Sequence, residues 1–266
     1  MQQFLLPFLL TLFAGLSTGI GGLIILFNSN RSRRFLSVCM GFSAGVMIYV
    51  SMIELFPEAQ ELLTSVFGEK TGALYTVLSF FSGMLMIAII DKLIPQENNP
   101  HEICDSNFEK IKLDDGEALK RTSMMTAIAI AIHNFPEGIA SFVSATHSLE
   151  IAIPTVVAIA LHNIPEGISV AMPIYCATGD RKKAVRYSFL SGLSEPLGAL
   201  FAFIFLRNIM DKVTFGIVYA MVAGIMVFIS FDELLPGAEE YGEHHLAIYG
   251  LVGGMAVMAL SLWLFI

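Results

Sequence analysis

Apolar runs long enough to cross a lipid bilayer recur along the whole of this 266-residue chain. A helix needs about 20 residues to span the hydrocarbon core of a bilayer. Only 14% of the residues are charged, whereas soluble domains carry about 25%. The sequence therefore predicts an all-α polytopic membrane helix bundle with eight transmembrane helices. Their predicted bounds are 4–27, 35–56, 72–92, 121–146, 150–174, 184–206, 213–236 and 246–265.

Basic residues are distributed unevenly between the loops that connect these spans. One set of alternate loops contains only Lys70, Arg207 and Lys212, and the other set contains the remaining Lys and Arg residues. Loops rich in Lys and Arg stay on the cytoplasmic side of a membrane. This asymmetry predicts that both termini lie outside.

One long polar segment, residues 93–120, separates the third and fourth spans. It contains acids, Asn and Pro without an apolar run, and we predict that it is a flexible cytoplasmic loop. No other stretch resembles a linker, so we predict a single transmembrane domain over residues 1–266. Because much of the acid lies in this loop, the net charge of −8 indicates no particular partner, and we expect no nucleic acid.

A polar motif interrupts two consecutive apolar spans at the same place. Residues 129–139 and 158–168 match at nine of eleven positions, and both contain the pattern His-Asn-x-Pro-Glu-Gly. The connection between the two spans is short, so the helices run antiparallel. The same motif is therefore presented once in each direction across the membrane.

A second internal match flanks the first, because residues 40–59 align without gaps on residues 219–238. The predicted topology sends these two helices in opposite directions. This favours inverted repeats, with helices one to three and six to eight around a central pair in a 3+2+3 arrangement, as in many secondary transporters. The alternative for the flanking pair is chance similarity between apolar helices.

Ionisable side chains lie deep within the predicted spans. A charge at the bilayer centre costs about 2.5–3.5 kcal/mol, and such residues usually face the bundle interior and pair with a partner. The Lys and Arg residues lie in loops or at span ends, so none can pair there with Glu137, Glu166 or Glu195. A bound metal cation would supply the missing charge. The alternative is a pair of kinked helices whose polar groups satisfy each other.

The spacing of the motif residues suits a metal site. His133 and Glu137 are four residues apart, as are His162 and Glu166, which places each pair on one face of its helix. Two such faces in apposition give a four-ligand nitrogen and oxygen site. Further oxygen ligands on the same helices or on the sixth span are Asn134, Asn163 and Glu195.

Pro136 and Pro165 interrupt the backbone beside the histidines. A proline inside a helix leaves the carbonyl four residues earlier unpaired, here those of Ile132 and Leu161. Irregular backbone at this depth is tolerated only where it is buried in protein or lines a water-filled cavity. We therefore predict a solvated path beside the ligands.

The ligand types narrow the choice of metal. Imidazole with carboxylates and amides suits Zn(II), Fe(II), Mn(II) or Co(II). No cysteine accompanies the motif, which argues against Cu(I). The sequence does not rank these four metals.

The motifs HNFPEG in the fourth span, HNIPEG in the fifth and SEPLG in the sixth resemble those of the ZIP (Zrt/Irt-like) metal-transporter family. The resemblance covers nearly the whole chain. It implies uptake of divalent cations, namely zinc and also iron, manganese and cobalt, into a bacterial cytoplasm across the inner membrane. It implies no prosthetic group, only metal bound in transit.

The resemblance also implies roles for individual residues. One metal would be held by His133, Glu137, His162 and Glu166. A second would be held by Asn134, Asn163 and Glu195, with Glu137 and Glu166 bridging the two. Candidate residues of the transport path are Glu54, Asp91, Asp232 and Glu233, although these lie near span ends, where solvated carboxylates are ordinary.

Two features depart from the family pattern. The 93–120 loop offers only His101 where many members carry a histidine-rich loop, so metal sensing by this loop is not expected. Asn163 stands where some relatives have Asp, which gives the second metal site less negative charge.

An intramembrane di-metal enzyme is the main alternative function. Di-iron bundle enzymes use Glu-x-x-His rather than His-x-x-x-Glu, and zinc proteases use His-Glu-x-x-His. We therefore predict a transporter and not an enzyme, with a metal-sensing scaffold as a third interpretation. The expected partners are divalent metal ions and the lipid bilayer. GxxxG-type spacings at Gly15/Gly19 and Gly250/Gly254 leave a homodimer open.

Overall fold

The structure is a computed structural model that describes residues 2–27, 33–93, 134–147, 149–206, 211–241 and 244–264. Within these ranges every regular element is helical and no strand occurs, which confirms the all-α prediction. The α-helices are α1 (Gln2–Phe27), α2 (Arg33–Val50), α3 (Phe56–Phe67), α4 (Glu69–Leu93), α5 (134–147), α6 (Leu149–Thr178), α7 (Arg181–Gly192), α8 (Ser194–Phe201), α9 (Lys212–Ile229), α10 (Leu235–Tyr241) and α11 (His244–Leu264). Three π-helical segments accompany them, at Ser51–Leu55, Ala202–Leu206 and Ser230–Leu234.

Seven helical stretches in the described ranges are long and apolar enough to cross a membrane. They correspond to the first three and the last four predicted spans, so the chain is a multi-pass membrane protein. The fourth predicted span, 121–146, lies partly outside the described residues, and its part from residue 134 onward is helical. The predicted 93–120 loop also lies outside them, except for Leu93, which ends α4. The seven stretches are Phe4–Ile24, Arg34–Phe67, Glu69–Lys92, Ala152–Met172, Arg181–Phe205, Lys212–Glu239 and His244–Leu264.

The second span does not end at residue 56 as predicted, because a π-helical turn carries the helix past Pro57. The backbone N–H of Phe56 donates to the carbonyl of Ser51, five residues earlier. A proline ring clashes with the carbonyl four residues earlier in a regular α-helix. A wider turn relieves that clash, and the helix continues to Phe67.

The seventh span contains the same kind of π-helical turn before a proline, at the aligned position. The predicted end at residue 236 is wrong for the same reason, since the helix passes Pro236 and continues to Tyr241. The backbone N–H of Leu235 donates to the carbonyl of Ser230, again five residues earlier. The two π-helical segments therefore fall on the same columns of the internal alignment.

The same internal repeat governs how the outer helices pack. α11 packs along α2, and α4 packs along α9. Gly45 of α2 lies against the carbonyl oxygen of Leu251, which an added Cβ would approach to 2.0 Å. Its aligned counterpart on α9, Gly224, lies against the carbonyl oxygen of Phe80 at the same distance. This is the pattern that the predicted 3+2+3 arrangement requires, although the arrangement itself stays a prediction.

The GxxxG-type glycines are used inside the chain. Gly15 packs against Gly192, and Gly254 packs against the carbonyl of Phe42. These spacings therefore give no support to the homodimer, which stays a prediction.

The centre of the bundle is built around α6, which is the most buried of the seven spans. α1 packs along α6 and α7, and α2 packs along α6 from another side. Buried hydroxyl groups join these helices. Ser188 Oγ donates to the carbonyl of Thr18 at 2.7 Å, and Ser141 Oγ lies 2.8 Å from Thr11 Oγ1. The helices that carry the candidate ligands are thus fixed by polar contacts in an otherwise apolar interior.

The sixth span is broken immediately before Glu195 and Pro196. α7 ends at Gly192, Leu193 forms a turn with φ −69° and ψ −10°, and α8 begins at Ser194. Pro196 would clash with the carbonyl of Gly192 in a regular helix, which accounts for the break. As a result Glu195 lies in the first turn of a new helix, and its side chain is fully buried.

Candidate metal centre

The two His-Asn-x-Pro-Glu-Gly motifs lie on α5 and α6, where close backbone packing sets the positions of their side chains. An added Cβ on Gly138 would lie 2.0 Å from the carbonyl oxygen of Glu195, and one on Gly167 would lie 1.8 Å from that of Thr18. No side chain fits at such distances. The motif glycines therefore allow α8 to approach α5, and α1 to approach α6, at the level of the candidate ligands.

Three motif side chains meet between α5 and α6. One ligand atom each from Glu137, His162 and Glu166 lies within 4.8 Å of the others. His162 Nε2 is 3.2 Å from Glu137 Oε1. Zinc binds nitrogen and oxygen ligands at about 2.0–2.2 Å, so ligand atoms this close together can surround one ion.

This cluster is buried and has an excess of acid. The side chains of Glu137, His162 and Glu166 are 1%, 0% and 2% exposed. The buried polar side chains of the described ranges include no Lys or Arg. Neither carboxylate oxygen of Glu137 accepts a hydrogen bond from the described part of the chain. A buried carboxylate keeps its charge only when it is paired or bound to a metal, so the group has the composition of a cation site.

A second polar group adjoins the first. Asn163 Nδ2 donates to Oε1 of Glu195 and, at 2.9 Å, to the carbonyl of Ala14. Asn163 Oδ1 and Glu195 Oε2 receive no hydrogen bond from the described residues. Glu195 also interacts electrostatically with Glu137 and Glu166. Three carboxylates therefore share one buried region, with amide and carboxylate oxygens left to bind a cation.

The alternative in which the polar groups satisfy each other holds only in part. Asn163 and Glu195 pair as it requires, and His162 Nε2 lies 3.2 Å from Glu137 Oε1, but Oε2 of Glu137 has no hydrogen-bond partner within the described ranges. After this pairing, carboxylate and amide oxygens remain without a hydrogen-bond partner within the described ranges.

Two groups that support the site have no signature in the sequence. The backbone carbonyl of Ala14 on α1 accepts a hydrogen bond from Asn163, and Ser43 Oγ on α2 donates to the carbonyl of His162 at 3.4 Å. A backbone carbonyl has no sequence signature, and Ser43 is one of many serines in apolar spans. The only signal for these contacts in the sequence is the internal repeat, which favours packing of the first span against the motif helices.

Most of the predicted site residues are brought to the bundle centre. Among the described His, Cys, Asp and Glu side chains, those with ligand atoms in one cluster are Glu137, His162 and Glu166 alone. His133 and the carbonyl of Ile132 lie outside the described residues. The remaining predicted ligands are fully buried, namely Asn134, Asn163 and Glu195.

The pathway candidates are not part of this cluster. Glu54 and Glu233 are half-buried and Asp232 is exposed, all three within π-helical segments. Asp91 is half-buried in the last turn of α4. Their role in transport stays a prediction, as does the solvated path beside the ligands.

Comparison with known proteins identifies the family. Residues 92–262 match the model of the family described as ZIP zinc transporter. The chain is 58% identical to the zinc transporter ZupT of Clostridium perfringens, over 100% of this chain and 98% of that protein. It is 60% identical to ZupT of Streptococcus mutans serotype c and 55% identical to ZupT of Chlorobaculum parvum, each over 100% of this chain and 99% of the relative.

These matches confirm the resemblance inferred from the paired motifs. Because the members of this family are zinc transporters, they also confirm the prediction of a transporter over that of an enzyme. A family match and full-length relatives with more than half of their residues identical lead to one conclusion. The chain belongs to the ZIP zinc transporter family.

Proposed function

We propose that the chain takes up divalent metal, zinc first, into the cytoplasm through the buried site between α5 and α6. The observation that carries this proposal is the cluster of Glu137, His162 and Glu166, whose ligand atoms lie within 4.8 Å of one another. His133 is the proposed fourth ligand, because it precedes Glu137 by the same four residues that separate His162 from Glu166. The zinc transporters named among the relatives support zinc as the cargo.

The proposed site holds two metals that share bridging carboxylates. The first is bound by His133, His162, Glu137 and Glu166. The second is bound by Asn134, Asn163 and Glu195, with Glu137 and Glu166 bridging. Support comes from the contact between Asn163 and Glu195, and from the oxygens of both residues that receive no hydrogen bond within the described ranges.

We propose a cargo range wider than zinc. The ligand set contains imidazole, carboxylate and amide groups without thiolate, and such sets also accept Fe(II), Mn(II) and Co(II). Binding depends on deprotonated ligands, so protons compete with the metal. The metal is cargo bound in transit, and no prosthetic group takes part.

The proposed mechanism is alternating access across the bacterial inner membrane, with both termini outside and no nucleotide hydrolysed. Its support is the matched packing of α2 with α11 and of α9 with α4, which the predicted inverted repeats require, since inverted repeats allow one site to open to either side. Glu54 would lie on the outer side of the path, and Asp91, Asp232 and Glu233 on the cytoplasmic side. These assignments follow the distribution of Lys and Arg among the loops.

The test is metal flux into proteoliposomes that contain only this protein. Zinc uptake is expected without ATP, and iron, manganese and cobalt are expected to compete with it. The double variant Glu137→Gln/Glu166→Gln removes both bridging charges and should abolish flux while it remains folded in the membrane. Glu69→Gln, an exposed glutamate at the start of α4, is the matched control and should transport normally. Flux in the double variant equal to that of the control would refute the proposed site.

The two-metal site has its own test. Asn163→Asp adds a negative ligand to the second metal and should tighten its binding, whereas Asn163→Ala should weaken it. The measurement is metal stoichiometry and affinity in purified protein. A stoichiometry of one in the wild-type chain and in Asn163→Asp would leave the transporter but remove the second metal.

A further inference from the structure

The inverted relation between the two halves extends to the helices that flank the motif pair. Residues 15–21 of α1 (GLSTGIG) align with residues 192–198 of α7 and α8 (GLSEPLG), with four of seven positions identical. In this alignment Thr18 occupies the position of Glu195.

The contacts of the two segments are reciprocal. An added Cβ on Gly15 would lie 2.3 Å from the carbonyl oxygen of Gly192, and one on Gly192 would lie 2.1 Å from that of Gly15. Reciprocal contact between two aligned residues is the arrangement expected where a two-fold axis exchanges the two segments. The packing therefore agrees with the sequence alignment.

The contacts that the two segments make with the motif helices also correspond to each other. An added Cβ on Gly21 would lie 1.9 Å from the carbonyl of Ile164, and its counterpart on Gly198 would lie 2.2 Å from that of Phe135. Ile164 and Phe135 are the variable residues of the two His-Asn-x-Pro-Glu-Gly motifs. α1 is thus placed on α6 as α8 is placed on α5.

The carbonyl of Thr18 therefore packs against Gly167 as the carbonyl of Glu195 packs against Gly138. Ser188 Oγ fixes this contact, since it donates to the carbonyl of Thr18 at 2.7 Å and lies 3.2 Å from that of Gly167. Gly167 directly follows Glu166. The Thr18 backbone is consequently held against the residue that follows Glu166, a bridging ligand of the proposed site.

The hydroxyl group of Thr18 is unusual among the buried threonines. Thr11 Oγ1 and Thr76 Oγ1 each donate to the carbonyl four residues earlier in their own helix, which is the ordinary solution for a buried threonine. Thr18 is 0% exposed, and its Oγ1 has no hydrogen-bond partner within the described ranges. A buried hydroxyl without a partner is unfavourable, so this oxygen requires an explanation.

We propose that Thr18 Oγ1 is a neutral oxygen ligand of the second cation, and that it approaches from the side opposite Glu195. The inference rests on the proposed two-metal site and adds a ligand to it from α1. One half of the chain then contributes a charged oxygen, Glu195, and the other half contributes a neutral oxygen at the equivalent position. The second cation is thereby held from both halves, but with charge from only one.

The test compares two substitutions of Thr18 in the purified full chain. Thr18→Val keeps the shape of the side chain and removes the oxygen, whereas Thr18→Ser keeps the oxygen. Zn²⁺ and Co²⁺ binding isotherms give the affinity of each of the two cations. Thr18→Val should weaken the second cation about 10-fold, the lower end of the effect of altered metal surroundings, and leave the first unchanged. Thr18→Ser should bind both cations as the wild type does.

Thr76→Val is the matched control, because it removes a buried threonine hydroxyl on α4, away from the motif helices. It should leave both affinities unchanged. Thermal unfolding of each variant checks that it is folded, and Thr18→Val should unfold no earlier than the wild type because it loses no hydrogen bond. If Thr18→Val does not fold, the ratio of second-cation affinities between Thr18→Ser and Thr18→Ala gives the same comparison.

The outcomes separate this inference from the function on which it rests. If Glu195→Gln loses the second cation but Thr18→Val does not, Thr18 is not a ligand and the two-metal site stands. If the wild-type chain binds one metal only, the inference fails while metal transport stands. If the wild-type chain neither binds nor transports metal, the proposed function fails as well.

Discussion

The repeated segments 40–59 and 219–238 have the same helical pattern but differ in charge. The π-helical segments Ser51–Leu55 and Ser230–Leu234 have the same length and the same position before a proline. Their acids differ, because Asp232 stands where the first half has Ile53. Beyond the proline, Glu58 of the first half stands where the second half has Gly237.

This difference changes which acids act together. Glu54 and Glu58 are four residues apart and interact electrostatically. Asp232 and Glu233 are adjacent in sequence within the π-helical segment Ser230–Leu234, so their side chains leave the helix in different directions. With the predicted topology, the outer side has a pair of acids four residues apart, whereas the cytoplasmic side has two acids adjacent in sequence. In the proposed mechanism, the repeated segments would give access from both sides, and the acids that are not repeated would distinguish the outer side from the cytoplasmic side.

The largest expected effect tests whether the two halves contribute equally at the centre. Glu137→Gln and Glu166→Gln should each reduce zinc uptake more than about 100-fold, because even changes around a metal ligand cost about 10–100-fold in affinity or activity. The two variants should be alike, since the carboxylates occupy equivalent positions on α5 and α6. Uptake in proteoliposomes is the measurement. Near-normal uptake by either variant would show that the site uses only one motif.

An intermediate effect is expected at the two mouths of the path. Glu58→Gln should raise the KM for zinc about tenfold, because acids at a mouth concentrate cations before they bind. Asp232→Asn should lower the maximal rate by a similar factor and leave KM unchanged. The measurement is uptake against zinc concentration, with Glu69→Gln as the control. An identical change in KM for both variants would contradict the division of roles.

A smaller effect is expected on stability alone. Gly45→Ala and Gly224→Ala each place a Cβ about 2 Å from a backbone carbonyl oxygen, and overpacking of this kind costs about 1–3 kcal/mol. Both variants should unfold earlier on heating in detergent, and by similar amounts. Gly253→Ala, which has open space at its Cβ, is the control. A large difference between the two variants would argue that the halves do not pack alike.

The smallest expected effect concerns the start of α9. The Asp211 carboxylate accepts a hydrogen bond from the backbone N–H of Thr214 at 2.8 Å, and this contact lowers the pKa of Asp211 below its ordinary value. A lowered folded-state pKa contributes stability above the unfolded pKa, and the contribution is lost as the pH falls through the folded pKa. The thermal unfolding midpoint of Asp211→Asn should therefore be slightly lower than that of the wild type at neutral pH. Below pH 3.8 the two midpoints should approach each other. A constant difference across this range would show that the charge of Asp211 does not contribute.

Much of the fold and of the site follows from local patterns in the sequence. The spans are readable because an apolar run of about 20 residues has one stable form in a bilayer. The ligand pairs are readable because His162 and Glu166 share a helix face by spacing alone. Glu195 was predictable as a candidate ligand because a buried carboxylate without a basic partner keeps its charge only beside a cation.

The remaining features depend on contacts between distant segments. Pro57 reads as the end of a helix, but a wider turn accommodates its ring, and nothing local distinguishes the two outcomes. The hydrogen bond from Asn163 to Ala14 uses a backbone carbonyl, which every residue possesses. Thr18 is unremarkable in the sequence until the packing of α1 shows that it is equivalent to Glu195. The chain pattern thus predicts which helices exist and which faces are polar, whereas the packing decides which atoms meet.

The π-helical turns also bear on how the two halves arose. A π turn amounts to an α-helix with one residue inserted, so it leaves a trace in the length of the chain. Residues 40–59 and 219–238 align without a gap across both turns. If the halves descend from one duplicated ancestor, a single insertion before the duplication accounts for both turns. Insertion afterwards would require two independent events at the same position, so under that descent the widened turn predates the duplication.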